Sequence, residues 1–418
     1  MGIDRVFVVG SGFMGSGIAQ VAATTGHGVT ICDVDTGAVE AGMERIRASL
    51  EDLVSSGEMT GDARDGVLAR LSVTTDPGDA REAGIVVEAV PEKLGLKREV
   101  FARLDEVCRP DAILASNTSA IPITSIAAAT RRPELVVGTH FFGPVPVMKL
   151  CEIVSGLLTS AETSRAADAW ATGLGKDTIL VRRDIAGFVA NRTSILGSLE
   201  AIRFVDEGLA TPEQVDAAAP FGAELGAGPL NIMDGVGLDV MFSTAIAIYE
   251  DTGEARFFPP PILRRLVTAG LLGRKTGQGF YDYTTGERRS YPLFGMETSA
   301  PVSPERSGLM FKRIIIPSLL EGIRVLEAGV ASREDIDKAT RLAFHFALGP
   351  LEAADGMGLD DLLESASAFY EETGNANYLP PPLLREMVGA GTLGRKTGSG
   401  FYDYGEDRSG GIPVDPRR

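Results

Sequence analysis

Gly10-Ser11-Gly12-Phe13-Met14-Gly15 comes directly after the apolar run Val6-Phe7-Val8-Val9, and Asp33 closes the next apolar run, Val29-Thr30-Ile31-Cys32. A GxGxxG by itself says little, but between a strand and a helix it has a mechanism. The first glycine permits a tight turn and the second lets the backbone approach a pyrophosphate. The third lets helix and strand pack closely, with the helix N-terminus facing the anion. Asp33 lies 23 residues beyond Gly10, where a carboxylate binds both ribose hydroxyls of a dinucleotide. A 2′-phosphate would meet that charge, and Val34-Asp35-Thr36-Gly37 supplies no cation to offset it. NAD is therefore expected over NADP.

His140, in Thr139-His140-Phe141-Phe142, is one of 3 histidines, and Glu152 follows 12 residues later. A return strand over Met148 to Val154 would carry that carboxylate back to the imidazole. An imidazole titrates near neutrality, and a carboxylate behind it stabilises the imidazolium, which is what a general base for an alcohol needs. Taken alone, His140 fits a packing role equally well; Glu152 is what favours chemistry. Asn117-Thr118-Ser119 follows the run Ile113-Leu114-Ala115. That is the strand end at which doubly wound sheets bind ligands, although the same residue types also form turns and helix caps.

The elements that must position these groups are legible as period and punctuation. Fully apolar runs at Val6–Val9, Val29–Cys32, Ile85–Val87, Ile113–Ala115, Val136–Val137 and Leu150–Val154 read as strands buried on both faces. Helical segments at Ile18–Ala23, Ala38–Leu53 and Lys97–Val107 separate the early ones. The alternation predicts an α/β Rossmann-type doubly wound domain over 1–186. From Asn191 onward the period is helical, with Ile195, Leu199, Ile202 and Val205 on one face.

The remainder is duplicated. Gly273 to Tyr283 recurs 121 residues later as Gly394 to Tyr404, differing only at Gln278 and Ser399. The same offset carries Pro259-Pro260-Pro261 onto Pro380-Pro381-Pro382, Gly228-Pro229-Leu230 onto Gly349-Pro350-Leu351, and Gly237-Leu238-Asp239 onto Gly358-Leu359-Asp360. One folding unit therefore occurs twice. Two copies of an all-α domain are expected, over 187–290 and 308–404, with Thr284–Ser307 as a linker and Gly405–Arg418 as a frayed tail. The second copy is expected to pack on the first as a built-in partner. The whole is then a monomer with an internal pseudo-dimer, or a homodimer.

With 418 residues, 44% hydrophobic and 23% charged, the composition is that of an ordinary multidomain enzyme. A net charge of −17 argues against nucleic acid as a partner. Three cysteines, without CxxC spacing, suggest a reducing compartment and no metal site. Glycines break the apolar N-terminus, no stretch has the length of a membrane span, and a cytoplasmic location is expected.

These motifs together resemble the 3-hydroxyacyl-CoA dehydrogenase family. The resemblance rests on Gly10–Gly15 with Asp33, Asn117-Thr118-Ser119, His140-Phe141-Phe142, Pro144 to Leu150 and Glu152. Gly187-Phe188-Val189-Ala190-Asn191-Arg192 and the two Gly-Arg-Lys-Thr-Gly-x-Gly-Phe-Tyr blocks extend it over nearly the whole chain. It implies NAD-dependent oxidation of an (S)-3-hydroxyacyl thioester at C3, with His140 as base and Glu152 orienting it. By the same resemblance Ser119 hydrogen-bonds the reacting oxygen and the cofactor, and Asn191 positions the substrate. Glu92, Lys97 and Lys275 match cofactor contacts, alongside Phe13 and Met14 of the glycine turn. Two departures stand out. Gly143 occupies a position where the family usually has Asn, and Val54-Ser55-Ser56-Gly57-Glu58 lacks the lysines often found near CoA. An acyl-carrier-protein thioester and a free hydroxy acid remain open as substrates, as does a non-catalytic NAD-binding protein. Lys312 stands at the counterpart of Asn191, so the second copy is expected to be non-catalytic.

Overall fold

In the computed structural model, residues 3–219, 227–291 and 302–405 are described, and the chain divides into two compact units after Phe188. Most of the segment expected to be a frayed tail, and part of the expected linker, lie outside the described residues.

The first unit is built on one eight-stranded sheet. Its strands are β1 (Arg5–Val9), β2 (Gly28–Cys32), β3 (Leu71–Thr74), β4 (Ile85–Glu88), β5 (Ile113–Ser116), β6 (Val136–Phe141), β7 (Leu150–Val154) and β8 (Asp177–Val181), in the order β3-β2-β1-β4-β5-β6-β7-β8. All neighbours pair in parallel except β6 and β7. β4 to β7 are buried at every residue, as helices on both faces require. Each Val, Ile or Leu so covered contributes about 1.5–3 kcal/mol. After β3 the chain crosses back over β1 and adds β4 on its other side. Gly10 and Ala89, just past the ends of β1 and β4, therefore flank a topological switch point, where ligands of such sheets bind.

The single antiparallel pairing has a consequence for chemistry. β7 returns along β6 with His140 directly opposite Glu152. Directly opposed residues of an antiparallel pair share one face of the sheet with their side chains adjacent.

The second unit is helical, and the 121-residue offset is visible in its contacts. Helix Ala190–Asp206 packs along helix Pro304–Glu327. The latter opens at Pro304, inside the span read as a linker, with the Ser303 hydroxyl accepting the N–H of Arg306. Gly197 donates its N–H to the hydroxyl of its own counterpart, Ser318, at 3.2 Å. A Cβ at Gly197 would lie 2.8 Å from that hydroxyl oxygen and 2.9 Å from the Ile314 carbonyl, so the glycine permits the close crossing. Around this point the Arg192–Glu321 pair (2.7 Å) is mirrored by Arg313–Glu200 (2.8 Å). Each residue of one pair is the other's counterpart, which is the self-complementary pattern of a two-fold interface, here realised within one chain.

The repeated Gly-Arg-Lys-Thr-Gly-x-Gly-Phe-Tyr block has a structural reason in both copies. Asp234 accepts the N–H groups of Phe280 and Tyr281, and Asp355 accepts those of Phe401 and Tyr402. Gly279 and Gly400 lie so close to these carboxylates that a Cβ would overlap them. Asp216 accepts the Tyr281 hydroxyl, and Asp337 that of Tyr402, both at 2.8 Å. Burial pushes Asp216, Asp234 and Asp337 up to about 6 each, against the pull of these donors.

Candidate active site

The glycine turn has the geometry its spacing suggests. Gly10 has φ +99°, and a Cβ there would sit 2.6 Å from the Ala89 carbonyl oxygen. A Cβ on Gly15 would overlap the Gly10 carbonyl, whereas Gly12 faces open space. Helix Phe13–Thr24 begins at Gly12 with no side chain capping its first N–H groups and no acidic residue in its first turn. A pyrophosphate has both the room and the donors it needs.

Asp33 is built into this turn. Its Oδ2 accepts the backbone N–H and the hydroxyl of Ser11, each at 2.6 Å, and its Oδ1 accepts the N–H of Val34 at 2.7 Å. Burial opposes its charge, but the Ser11 and Val34 bonds and the nearby Arg45 guanidinium hold its pKa below the usual carboxylate value. Arg45 in turn donates to the Ser11 carbonyl at 2.6 Å. The residues present thus fit a dinucleotide. Asp33→Ala should raise the NADH dissociation constant about 10–100-fold, the worth of hydrogen bonds to a charged group. Fluorescence titration reads this, and an unchanged constant would remove Asp33 from the site.

His140 and Glu152 meet as the register requires, with Nδ1 2.6 Å from Oε2 and both side chains buried. With Nδ1–H directed at the carboxylate, Nε2 is the nitrogen left to take a proton. Phe142 and Phe188 pack on the ring, with centroids 4.4 and 5.7 Å away. Asn117, at the end of β5, accepts the N–H of Phe141 at 2.9 Å and so ties its loop to the histidine strand.

Ser119 is placed by Glu92. One Glu92 oxygen accepts the Thr118 hydroxyl at 2.5 Å and the N–H groups of Ser119 and Ala120 at 3.0 and 3.1 Å. Lys97 is only 1% exposed, and its ammonium lies against Glu88 (2.7 Å), Glu92 (3.2 Å) and the Val90 carbonyl (3.2 Å). Burial works against the Glu92 charge, but Lys97 and the loop donors hold its pKa below the usual value. With all three donors engaged, a contact from Lys97 to a cofactor requires one of them to be given up.

Asn191 and Lys275 belong to the helical unit. Asn191 is half-buried in the first turn of helix Ala190–Asp206. Lys275 pairs with Asp239 at 2.5 Å, and their counterparts Lys396 and Asp360 pair likewise. The pair therefore forms even in the copy that no dinucleotide domain precedes. Ser11, Arg45, Glu88 and Ser116 are participants that spacing did not single out. Glu88, wholly buried, accepts Lys97, the Val90 N–H and the Ser116 hydroxyl, each at 2.7 Å. Its signal was available: like Asp33, it is a carboxylate closing an apolar strand.

Residues 5–185 match the NAD binding domain of 3-hydroxyacyl-CoA dehydrogenase, and residues 187–283 and 308–404 each match its C-terminal domain. The chain belongs to the 3-hydroxyacyl-CoA dehydrogenase family and is an NAD-dependent oxidoreductase of 3-hydroxyacyl-CoA. The 3-hydroxybutyryl-CoA dehydrogenase of Mycobacterium tuberculosis is 46% identical over 283 residues, covering 67% of this chain and 99% of that protein. The 3-hydroxyadipyl-CoA dehydrogenase of Escherichia coli is 32% identical, covering 92% of this chain and 98% of its own. Among solved structures, a 3-hydroxybutyryl-CoA dehydrogenase from Escherichia coli K12 superposes with TM-score 0.85 at 31% identity, covering 94% of this chain and all of that one. Among the described residues no single helix is long and apolar enough to cross a membrane.

Proposed function

We propose that His140 is the general base of the reaction and Glu152 the group that orients it and stabilises its charge. The observation that carries this is the 2.6 Å contact between Nδ1 and the Glu152 carboxylate on opposed residues of β6 and β7. The Nε2 atom takes the proton of the C3 hydroxyl, and the buried carboxylate offsets the imidazolium that results. NAD, when bound, would supply the acceptor for the hydride leaving C3. Ser119 hydrogen-bonds the reacting oxygen, its loop held by Glu92, and Asn191 positions the acyl group. Gly10, Gly12, Phe13, Met14, Gly15 and Asp33 hold the dinucleotide, with Glu92 and Lys97 bordering it, and Lys275 keeps the cofactor-contact role that the resemblance implies.

The acyl carrier is CoA in this reading, as in the relatives named above. A substrate panel tests it by NADH absorbance with (S)-3-hydroxybutyryl-CoA, the matching acyl-carrier-protein thioester and free 3-hydroxybutyrate. Turnover is expected with the CoA ester and not with the free acid. Activity with the free acid alone would overturn the thioester assignment.

A further inference from the structure

We infer that Phe13 and Gly143 compete for one space, and that Gly143 is present so that the Phe13 ring can form the wall of the cofactor site between the glycine turn and His140. The inference rests on the reading that the turn Gly10–Gly15 holds NAD.

Gly143 precedes a cis peptide bond to Pro144, and its φ is not among the positive values that favour glycine. It is explained by what stands over it. A Cβ at this position would lie 2.5 Å from Cε1 and 3.3 Å from Cζ of Phe13, and 3.2 Å from Sδ of Met14. A methyl group already overlaps the ring, and any longer side chain would take its place.

The backbone at Gly143 has little freedom to retreat. Val145, two residues on and fully buried, packs on Gly17, where a Cβ would be 3.0 Å from Val145 Cβ. The buried Lys176 ammonium donates to the carbonyls of Val145 and, at 2.8 Å, Met148. This segment is therefore fastened both to helix Phe13–Thr24 and to the residue leading into β8. The ring, by contrast, can move, because Phe13 is 61% exposed. When position 143 gains a side chain, the Phe13 ring is the part that yields.

The ring's address gives the displacement a functional cost. Phe13 is the first residue of the helix whose N-terminus faces the pyrophosphate site, and Gly143 lies three residues beyond His140. The Phe13 ring is largely exposed and lies against Gly143 of the second segment. It offers an apolar surface to the part of the dinucleotide that runs from the turn towards the base. Where the family resemblance implies an amide at position 143, an aromatic from position 13 stands over the glycine.

A double-mutant cycle on NADH binding, read by fluorescence titration of the full-length protein, tests the pairing. Phe13→Ala is expected to weaken NADH binding about 3–10-fold, and Gly143→Asn, which displaces the same ring, by a similar factor. The Phe13→Ala/Gly143→Asn double variant should bind no more weakly than Phe13→Ala alone. Unchanged affinity in Gly143→Asn, or single effects that simply multiply in the double variant, would overturn the pairing. Should Gly143→Asn fail to fold, as judged by its thermal transition, Gly143→Ala takes its place with a smaller loss expected in the same direction. A failed cofactor reading looks different: the unaltered protein would not bind NADH, or Asp33→Ala would bind it equally well.

Discussion

His140→Ala is expected to lower kcat by about 10²–10⁴-fold, the usual worth of a positioned general base, while NADH should bind nearly as it does to the unaltered protein. The expectation follows from where His140 sits. Its Nδ1 is committed to a wholly buried carboxylate at 2.6 Å, which fixes the ring and leaves only Nε2 to react. The groups that fit the dinucleotide, Asp33 and the glycine turn, are anchored through Ser11, Arg45 and Ala89. None of those anchors involves His140. Turnover at saturating substrate and NADH fluorescence titration therefore separate the two roles. A parallel loss of cofactor affinity would make His140 a packing residue, and an unchanged kcat would pass the base role to another group. Glu152→Gln should show a smaller loss of kcat, because an amide can still accept from Nδ1–H but cannot offset the imidazolium charge.

How far the sequence revealed this site depended on what each residue must satisfy. The central strands were readable because burial on both faces forces a continuous apolar run, as in Ile85-Val86-Val87 and Ile113-Leu114-Ala115. The two strands that escaped notice, β3 (Leu71–Thr74) and β8 (Asp177–Val181), are the two edges of the sheet. There one side faces solvent, and Ser72, Thr74, Asp177 and Thr178 break the apolar pattern that marks a buried strand. The His140–Glu152 proximity was foreseeable because a short return strand places residues 12 apart in register. The Glu88–Lys97–Glu92 network was not, since a lysine's spacing does not tell whether its ammonium turns outward or into the sheet. Lys275 and the repeated block around it show the converse. Spacing marked them strongly, yet both copies form the same Lys–Asp pair and the same aspartate-bound turn, which folding alone would preserve.

Glu321→Ala should cost about 3–5 kcal/mol of stability, the penalty for stripping a buried ion pair of one partner. Glu321 is wholly buried and faces Arg192 at 2.7 Å, Arg324 at 3.2 Å and Arg256 at 3.3 Å. Its counterpart Glu200 faces two guanidiniums, Arg313 at 2.8 Å and Arg203 at 3.3 Å, together with the Tyr378 hydroxyl. The two halves of the internal two-fold have diverged by a charge pair. Arg256 and Glu254 on one side correspond to Asn377 and Asn375 on the other. Counting Glu254, three guanidiniums face two carboxylates beside Glu321, and two face one beside Glu200, so each side carries one net positive charge. A cation and an anion have been exchanged together, so the net charge around the buried carboxylate is the same in both halves. Removing Glu321 breaks that balance and leaves three guanidiniums against Glu254 alone. Removing Glu200 strands two and should cost less. Urea unfolding of the full-length variants measures both, and Glu321→Ala is expected to be the more destabilised. A cost below about 1 kcal/mol, the range of exposed pairs, would show that solvent enters this contact and that the two copies are held together by the crossing at Gly197 and Ser318.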